Sequence, residues 1–412
     1  MKVAVIGSGV IGLATAYSLA TRGAEVVIVG NRTPGSGASS NNAGWVVPSL
    51  AGPVPGPGVI LQTLRAMARP DSPVYVRPEL SPGFARFMWG MFRACTAPAY
   101  AAAFEATARL GEGTMEALDA WAADGLAFEM HAGGELQAFV DHEEFEHATS
   151  GLGAYERAGF TPAALNGDEA RAFLPVLSDL VVGAIRFPNE RHVRPMTVIS
   201  ALVARLTALG VTWVDDTVKD GWALPSGGVE LRAGFETVRA DAAVIAAGAW
   251  SGRVAALFGS RVPIRPGKGY SVDYVPGQLD SGGVVMLSEA HVAVTPLDGA
   301  TRVAGTMEFG GLDERIAPVR LRAIRNAPAR YFRTWDAEAP SLAPSAGLRP
   351  MTPDGIPVIG RLRPFESVYI ASGHAMLGLT LAPRTGALLA TMILDGGEPA
   401  ELRPFSPRRF GA

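Results

Sequence analysis

One stretch, KVAVIGSGVIGLATAYSLATRGAEVVIVG at residues 2–30, restricts the architecture more than any other part of the chain. KVAVI is a short apolar run with β-branched residues, and Gly7-Ser8-Gly9-Val10-Ile11-Gly12 follows it as G-x-G-x-x-G. Helix-forming residues then lead to a stop at Gly23, and AEVVIV reads as a second buried strand, which completes a βαβ unit. In such a unit Gly7 permits the tight turn, Gly9 lets backbone N–H groups reach a pyrophosphate, and Gly12 lets helix and strand pack closely. The helix N-terminus adds positive dipole at the phosphates. One expected part is missing. The second strand normally ends in Asp or Glu, which grips the adenosine ribose; here it ends in Gly30, followed by Asn31 and Arg32, a pair similar to strand ends that hold the 2′-phosphate of NADP. The fingerprint alone leaves FAD and NADP both open.

At 412 residues the chain exceeds one ordinary core. A net charge of −3 gives no pull toward nucleic acid or an acidic membrane and directs attention to a small-molecule ligand. The single cysteine, Cys95, excludes an intrachain disulfide and a Cys-based zinc site, and a reducing compartment suits it. Glycines at fingerprint spacing argue against a signal peptide at residues 1–20, and no apolar run reaches the ~18 residues of a membrane span. AGPVPGPG at residues 51–58 leads away from the βαβ unit as a loop. Phe84, Phe87, Met88, Met91 and Phe92 mark a helical stretch over 84–124 that packs on its own domain. Strands are predicted at 134–140, 181–187 and 211–218, and a helix from Pro195 to Gly210. ADAAVIAAGAWS is a buried strand that breaks at Gly248, residues 262–309 alternate like an antiparallel sheet, and a helix spans 318–332. The acidic run DHEEFEH, with His142, Glu146 and His147, reads as a solvated helix face and not as a metal site.

Three further segments give the pattern its specificity. PGSGASSNNAG places small and short polar residues in a loop after the second strand, able to donate from its backbone and from Ser39, Ser40 and Asn42. GLRPMTPDGIPVIG occupies 347–360, and GHAMLGLTLAPRTGALLA at 373–390 sets a turn before a helix, with Pro383 in its first turn and Thr380 as a cap. Free N–H groups there suit a negatively charged group. Together these motifs resemble the D-amino-acid oxidase family of FAD enzymes, in particular its bacterial D-amino-acid dehydrogenase and glycine oxidase branch, in order along nearly the whole chain. The departure is Gly30, where those relatives usually carry Glu.

The resemblance implies an α/β plus antiparallel-β fold. A Rossmann-type FAD-binding domain at 1–75, 143–265 and 341–412 interleaves with a smaller α+β substrate domain at 76–142 and 266–340. Cofactor contacts are expected at Gly7, Gly9, Val10, Ile11 and Gly12; at Gly30, Asn31 and Arg32; and at Ser39, Ser40, Asn42, Ala43 and Gly44. Further contacts are expected at Val218, Ala247, Gly248 and Trp250, and in the C-terminal turn at Gly373, His374, Met376, Leu377, Gly378, Leu379 and Thr380. FAD is expected to be non-covalent, because Cys95 lies in neither flavin motif. Arg349 offers a planar fork to a substrate carboxylate and is the family's carboxylate-binding position, unless it pairs with an acid such as Asp354. Tyr270 is expected to add its hydroxyl, with Ala375 and His192 as further substrate contacts and His374 shaping the flavin contact; Arg349, Tyr270 and His374 form the catalytic set. The implied reaction is oxidative deamination of a small amino acid, a D-amino acid or a secondary amine such as D-hydroxyproline or sarcosine. Hydride passes from Cα to flavin N5, and the imine hydrolyses to a 2-oxo acid and ammonia. Oxygen or a quinone serves as acceptor, in the cytoplasm or at the inner face of the membrane, as a monomer or an oligomer. The alternatives are an NADP-dependent oxidoreductase and a flavin-fold binding module.

Overall fold

The computed structural model describes residues 1–31, 37–60, 72–77 and 79–412. The predicted unit forms as β1 (Lys2–Ile6), α1 (Val10–Ala20) and β2 (Glu25–Val29), with β1 and β2 parallel. Among the described residues they belong to a six-stranded sheet in the order Thr212–Val214, β2, β1, Ala242–Ile245, Val368–Ser372 and Val358–Arg361, of which the last strand is antiparallel to its neighbour. All these strands but the first are buried over nearly their whole length, which is why they read as continuous apolar runs rather than alternating ones. One face carries α1, the helix Pro195–Ala208 and the long helix Gly378–Asp395. Gly386 lets that last helix lie on α1, since a Cβ there would sit 2.6 Å from the Ala14 carbonyl. A three-stranded antiparallel sheet, Val218–Ala223, Val229–Ala233 and Glu236–Ala240, covers the other face.

A second, mixed sheet runs in the order Ser345–Met351, Arg265–Tyr274, Ala300–Phe309, Val292–Leu297, Val284–Leu287, Glu135–Phe139, Gly183–Phe187 and Ala163–Asn166, with Val74–Val76 also pairing Ala300–Phe309. Ala163–Asn166, Gly183–Phe187 and Ser345–Met351 lie wholly, and Val74–Val76 mostly, in segments that the sequence reading assigns to the dinucleotide portion. The interleaving is therefore finer than the expected boundaries at 143 and 341.

The helical stretch 84–124 is three helices, Pro82–Ala94, Ala97–Gly111 and Thr114–Ala123. Ser81 and Thr96 cap the first two through their hydroxyls, and Gly113 at φ +73 turns the chain between the second and third. Phe87 and Met91 bury against Met307, Phe309 and Met351, while Trp89 and Phe92 stay exposed. The strand expected at 211–218 splits at Asp215 into members of two sheets, and the helix expected over 318–332 passes into a 3-10 turn after Asn326. DHEEFEH forms the helix His142–Ser150, capped by Asp141 and without a buried residue.

Candidate active site

A cavity of about 1410 Å³ opens between the carboxyl edge of the parallel sheet and the mixed sheet. That exceeds the ~300–1,000 Å³ of a site for one small ligand, so it has room for a dinucleotide with a second molecule beside it.

The dinucleotide end is built from backbone. Gly7 has φ +115, and a Cβ would meet the Ala246 carbonyl at 2.5 Å; at Gly12 a Cβ would sit 2.0 Å from the carbonyl of Gly7. Only glycine fits either place, which gives the fingerprint spacing its physical cause. Gly7, Gly9, Val10 and Ile11 line the cavity, whereas Gly12 is packed behind them. α1 starts without a cap from its own N-cap residue; instead Ser39 Oγ accepts the Val10 amide at 3.0 Å. The helix Gly378–Asp395 begins beside it, a Cβ on Gly378 falling 3.8 Å from Val10 Cγ1, and its N-terminal turn has no side-chain cap either. Two helix starts thus present N–H donors and positive dipole to one space.

The loop at 37–44 differs from expectation. Ala38, Ser39, Asn41, Asn42 and Ala43 line the cavity, but the polar side chains mainly hold the loop itself. Asn42 Nδ2 donates to Ser39 O at 2.5 Å while its Oδ1 accepts from Gly44 N at 2.6 Å; Ser40 turns inward to Gly37 O at 3.2 Å. Arg302, paired with Asp273 at 2.6 Å, donates to Asn42 O at 2.8 Å and fixes the loop from behind. The side chains of Ser40 and Asn42 therefore hold the shape of the loop. Gly44 is also outside the cavity: at φ +86 it packs on Val193, where a Cβ would lie 2.3 Å from the carbonyl.

Gly30, Asn31, Val218, Ala247, Gly248 and Trp250 line the cavity as expected residues, and Arg32 lies outside the described residues. In the C-terminal turn His374, Ala375, Met376, Leu377, Gly378 and Leu379 line it, but Gly373 and Thr380 do not. Thr380 is not the cap. It lies inside the helix, where its hydroxyl accepts the Val47 amide at 3.1 Å, and Pro383 falls in the second turn rather than the first. His374 is buried, with Nε2 3.1 Å from Thr385 Oγ1 and, among the described residues, no hydrogen-bond partner for Nδ1; burial pulls its pKa down to about 3. A ring so far from protonation shapes the site and carries no charge.

Arg349 stands at the other end, on the strand Ser345–Met351 opposite Gly267. Its guanidinium lies over Gly269, where a Cβ would fall 2.1 Å from Nη1, and Nη1 donates to Thr306 O at 2.8 Å. Asp354 does not pair with it, being bound by Arg409 at 2.6 Å, and no carboxylate among the described residues takes its place. Arg349 is enclosed but keeps part of its surface open to the cavity; burial lowers its pKa to about 10, so it remains charged at neutral pH. An enclosed cation without a counter-ion is a receptor for an anion. Two non-glycine residues with positive φ adjoin it, Thr306 at +70 and Ala375 at +48, local strain of the kind found at ligand sites.

Tyr270 and His192 are not in this cavity. Strand alternation turns Gly269 toward Arg349 and Tyr270 to the opposite face, where it is buried in the core and donates to Glu308 at 2.7 Å. His192 is buried and stacks on His131 with ring centroids 4.8 Å apart; burial pulls its pKa to about 4. The sequence reading missed Gly269 and Thr306, which seat Arg349, and the apolar wall of Val54, Val74, Met88, Met91, Met307 and Phe309. GKG in a strand was a usable signal, because alternate glycines mark a face that something approaches closely.

The chain matches over residues 2–392 the family described as DAO, FAD dependent oxidoreductase, and it belongs to that family. It is similar to glycine oxidase from Geobacillus kaustophilus, at 25% identity and TM-score 0.76 over 98% of this chain and 97% of that one. Iminodiacetate oxidase from Chelativorans sp. is likewise similar, at 25% identity and TM-score 0.75 over 98% of both chains. L-proline dehydrogenase from P. horikoshii shares the fold, at 19% identity and TM-score 0.74 over 99% and 97%. The choice that Gly30-Asn31-Arg32 left open is thereby made: the cofactor is FAD, and the glycine turn with its two helix starts fits that group.

Proposed function

We propose that this protein oxidises the carbon–nitrogen bond of an amino acid, or of an N-substituted amino acid, whose side chain is apolar. Arg349 carries the reading: an enclosed guanidinium open to the cavity, anchored on Thr306 and without an acid partner among the described residues. It holds the substrate carboxylate, fixing Cα with respect to the flavin turn at His374–Met376. When bound, FAD supplies the two-electron acceptor for the Cα hydride, leaving an imine that water converts to a 2-oxo acid and an amine or ammonia. No strong general base is needed if the amine enters neutral, which suits a wall of methionine, valine and phenylalanine and a histidine held neutral.

The substrate's side chain follows from the same wall. Among the described residues the arginine, lysine and carboxylate side chains that line the cavity are Asp216, Arg253 and Arg349, and the first two belong to the nucleotide end. Around Arg349 the wall formed by Met91, Met307 and Phe309, with Val54 and Met88 packed against it, would desolvate a second charge without pairing it. An apolar side chain larger than that of glycine suits it. The similar oxidases of glycine and iminodiacetate act, by their names, on carboxylate-bearing amines. Anaerobic titration of the holoenzyme with D- and L-amino acids and N-alkylated glycines, read as bleaching of the flavin band, tests this. Leucine-, methionine- or phenylalanine-like compounds should bleach at the lowest concentration. Preferential bleaching by acidic or basic amino acids, or none at all, would refute it.

A further inference from the structure

We propose that Asp216 makes the adenosine-ribose contact that the strand end at Gly30 cannot make. β2 reaches the cavity at a residue without a side chain, and the fit around it is close: a Cβ on Gly30 would lie 3.3 Å from the Ser8 amide nitrogen. The adjacent backbone is occupied too, since Ser8 Oγ donates to the Asn31 carbonyl at 2.6 Å. The strand Thr212–Val214 runs parallel to β2 on its outer side, with Val214 level with Val29, and Gly30 N donates to Val214 O at 3.0 Å. Neighbouring strands lie about 4.8 Å apart, so the residues after Val214 emerge at the same carboxyl edge, one strand over from where the acid usually stands.

Those residues begin Asp215-Asp216-Thr217, and Asp216 is the one carboxylate among the described residues that lines the cavity. It is exposed at the edge of the cavity, and its carboxylate is fixed locally. Oδ1 accepts the Thr217 amide at 2.6 Å, and Oδ2 lies over Gly234, where a Cβ would be 2.0 Å away. Oδ2 itself has no hydrogen bond or ion pair among the described residues. A carboxylate at the edge of a dinucleotide site, with one oxygen tied to its own backbone and the other without a hydrogen bond among the described residues, is what accepting a ribose hydroxyl requires. Relocating the acid by one strand keeps its chemistry and its level in the sheet.

Affinity for FAD, read as quenching of flavin fluorescence on titrating apoprotein, tests the assignment against FAD whose adenosine ribose lacks the 2′-hydroxyl. The native protein should bind the deoxy cofactor about 10- to 100-fold more weakly than FAD, and Asp216→Asn should lose a similar factor toward FAD while no longer distinguishing the two. Native protein that binds both cofactors alike, which needs no variant to fold, would overturn the proposal. So would an Asp216→Asn variant of native melting temperature that still discriminates between them.

Discussion

The two ends of the cavity are made by different means. At the nucleotide end glycines and helix starts expose main-chain N–H groups, and the polar side chains mostly brace the loop that carries them. At the substrate end backbone recedes: Gly269 leaves room for one long side chain, Arg349, while Met307 and Met351 lie over Gly267, beside a wall of methionine, valine and phenylalanine. A pyrophosphate is the same in every FAD, so fixed donors serve it, while a substrate is chosen by side chains that can change without disturbing the fold. The first end should therefore tolerate no added atom, and the second should lose substrate without losing flavin.

The largest effect separating the two ends is expected from Gly12→Val, whose Cβ would lie 2.0 Å from the Gly7 carbonyl. Protein purified with this change should carry no flavin; full FAD content by absorbance would break the contrast. Gly269→Ala should do the reverse. Its Cβ would fall 2.1 Å from Arg349 Nη1 and displace the guanidinium, lowering kcat/KM by roughly 10²-fold with FAD content intact. His374→Asn sharpens the account of catalysis, for a histidine with a pKa near 3 cannot give the pH profile of kcat a limb near neutrality. The profile should keep its shape in the variant, and loss of a limb would restore His374 as a proton carrier.

The smallest effect concerns the support behind the substrate end. Glu135 and Glu190 are buried together around Ser49, whose hydroxyl donates to Glu135 at 3.2 Å and whose amide donates to Glu190 at 3.1 Å. Desolvation raises Glu135 from the ordinary 4.5 to about 8, with the charge of Glu190 adding to it, and desolvation raises Glu190 to about 7. Both bind protons more tightly folded than unfolded. Their contribution to stability is thus full below about pH 4.5 and is lost as pH rises toward 7 and 8. Glu135→Gln should flatten that decline, so its melting temperature gains on the native protein between pH 5 and pH 8. A constant difference across that range would contradict the burial of a titrating pair.

The contrast between the ends also explains what the sequence could tell. Glycine spacing reports backbone geometry directly, so Gly7, Gly9 and Gly12 and the βαβ unit were legible from residues alone. Arg349 was legible through its motif, but its seat on Gly269 was not, because that needs the antiparallel register with Arg265–Tyr274. Tyr270 shows the same limit. It lies one residue from Gly269, and the pleat sends it to the Glu308 side. Thr380 looked like a cap because the helix start could be placed only to within a few residues. Asp216 was invisible for a topological reason, since its neighbour in space, Gly30, is far away in the chain and strand order is not written in local pattern.

The central claim is that one enclosed cation orients the substrate while the chain's backbone holds the flavin. Arg349→Met keeps length and apolar bulk and removes the charge, and rapid-mixing anaerobic reduction by the preferred amino acid measures the consequence. The account predicts unchanged FAD affinity, with the amino-acid concentration for half-maximal reduction rate raised about 10²-fold or more. Reduction by Arg349→Met at native concentrations of amino acid would contradict it.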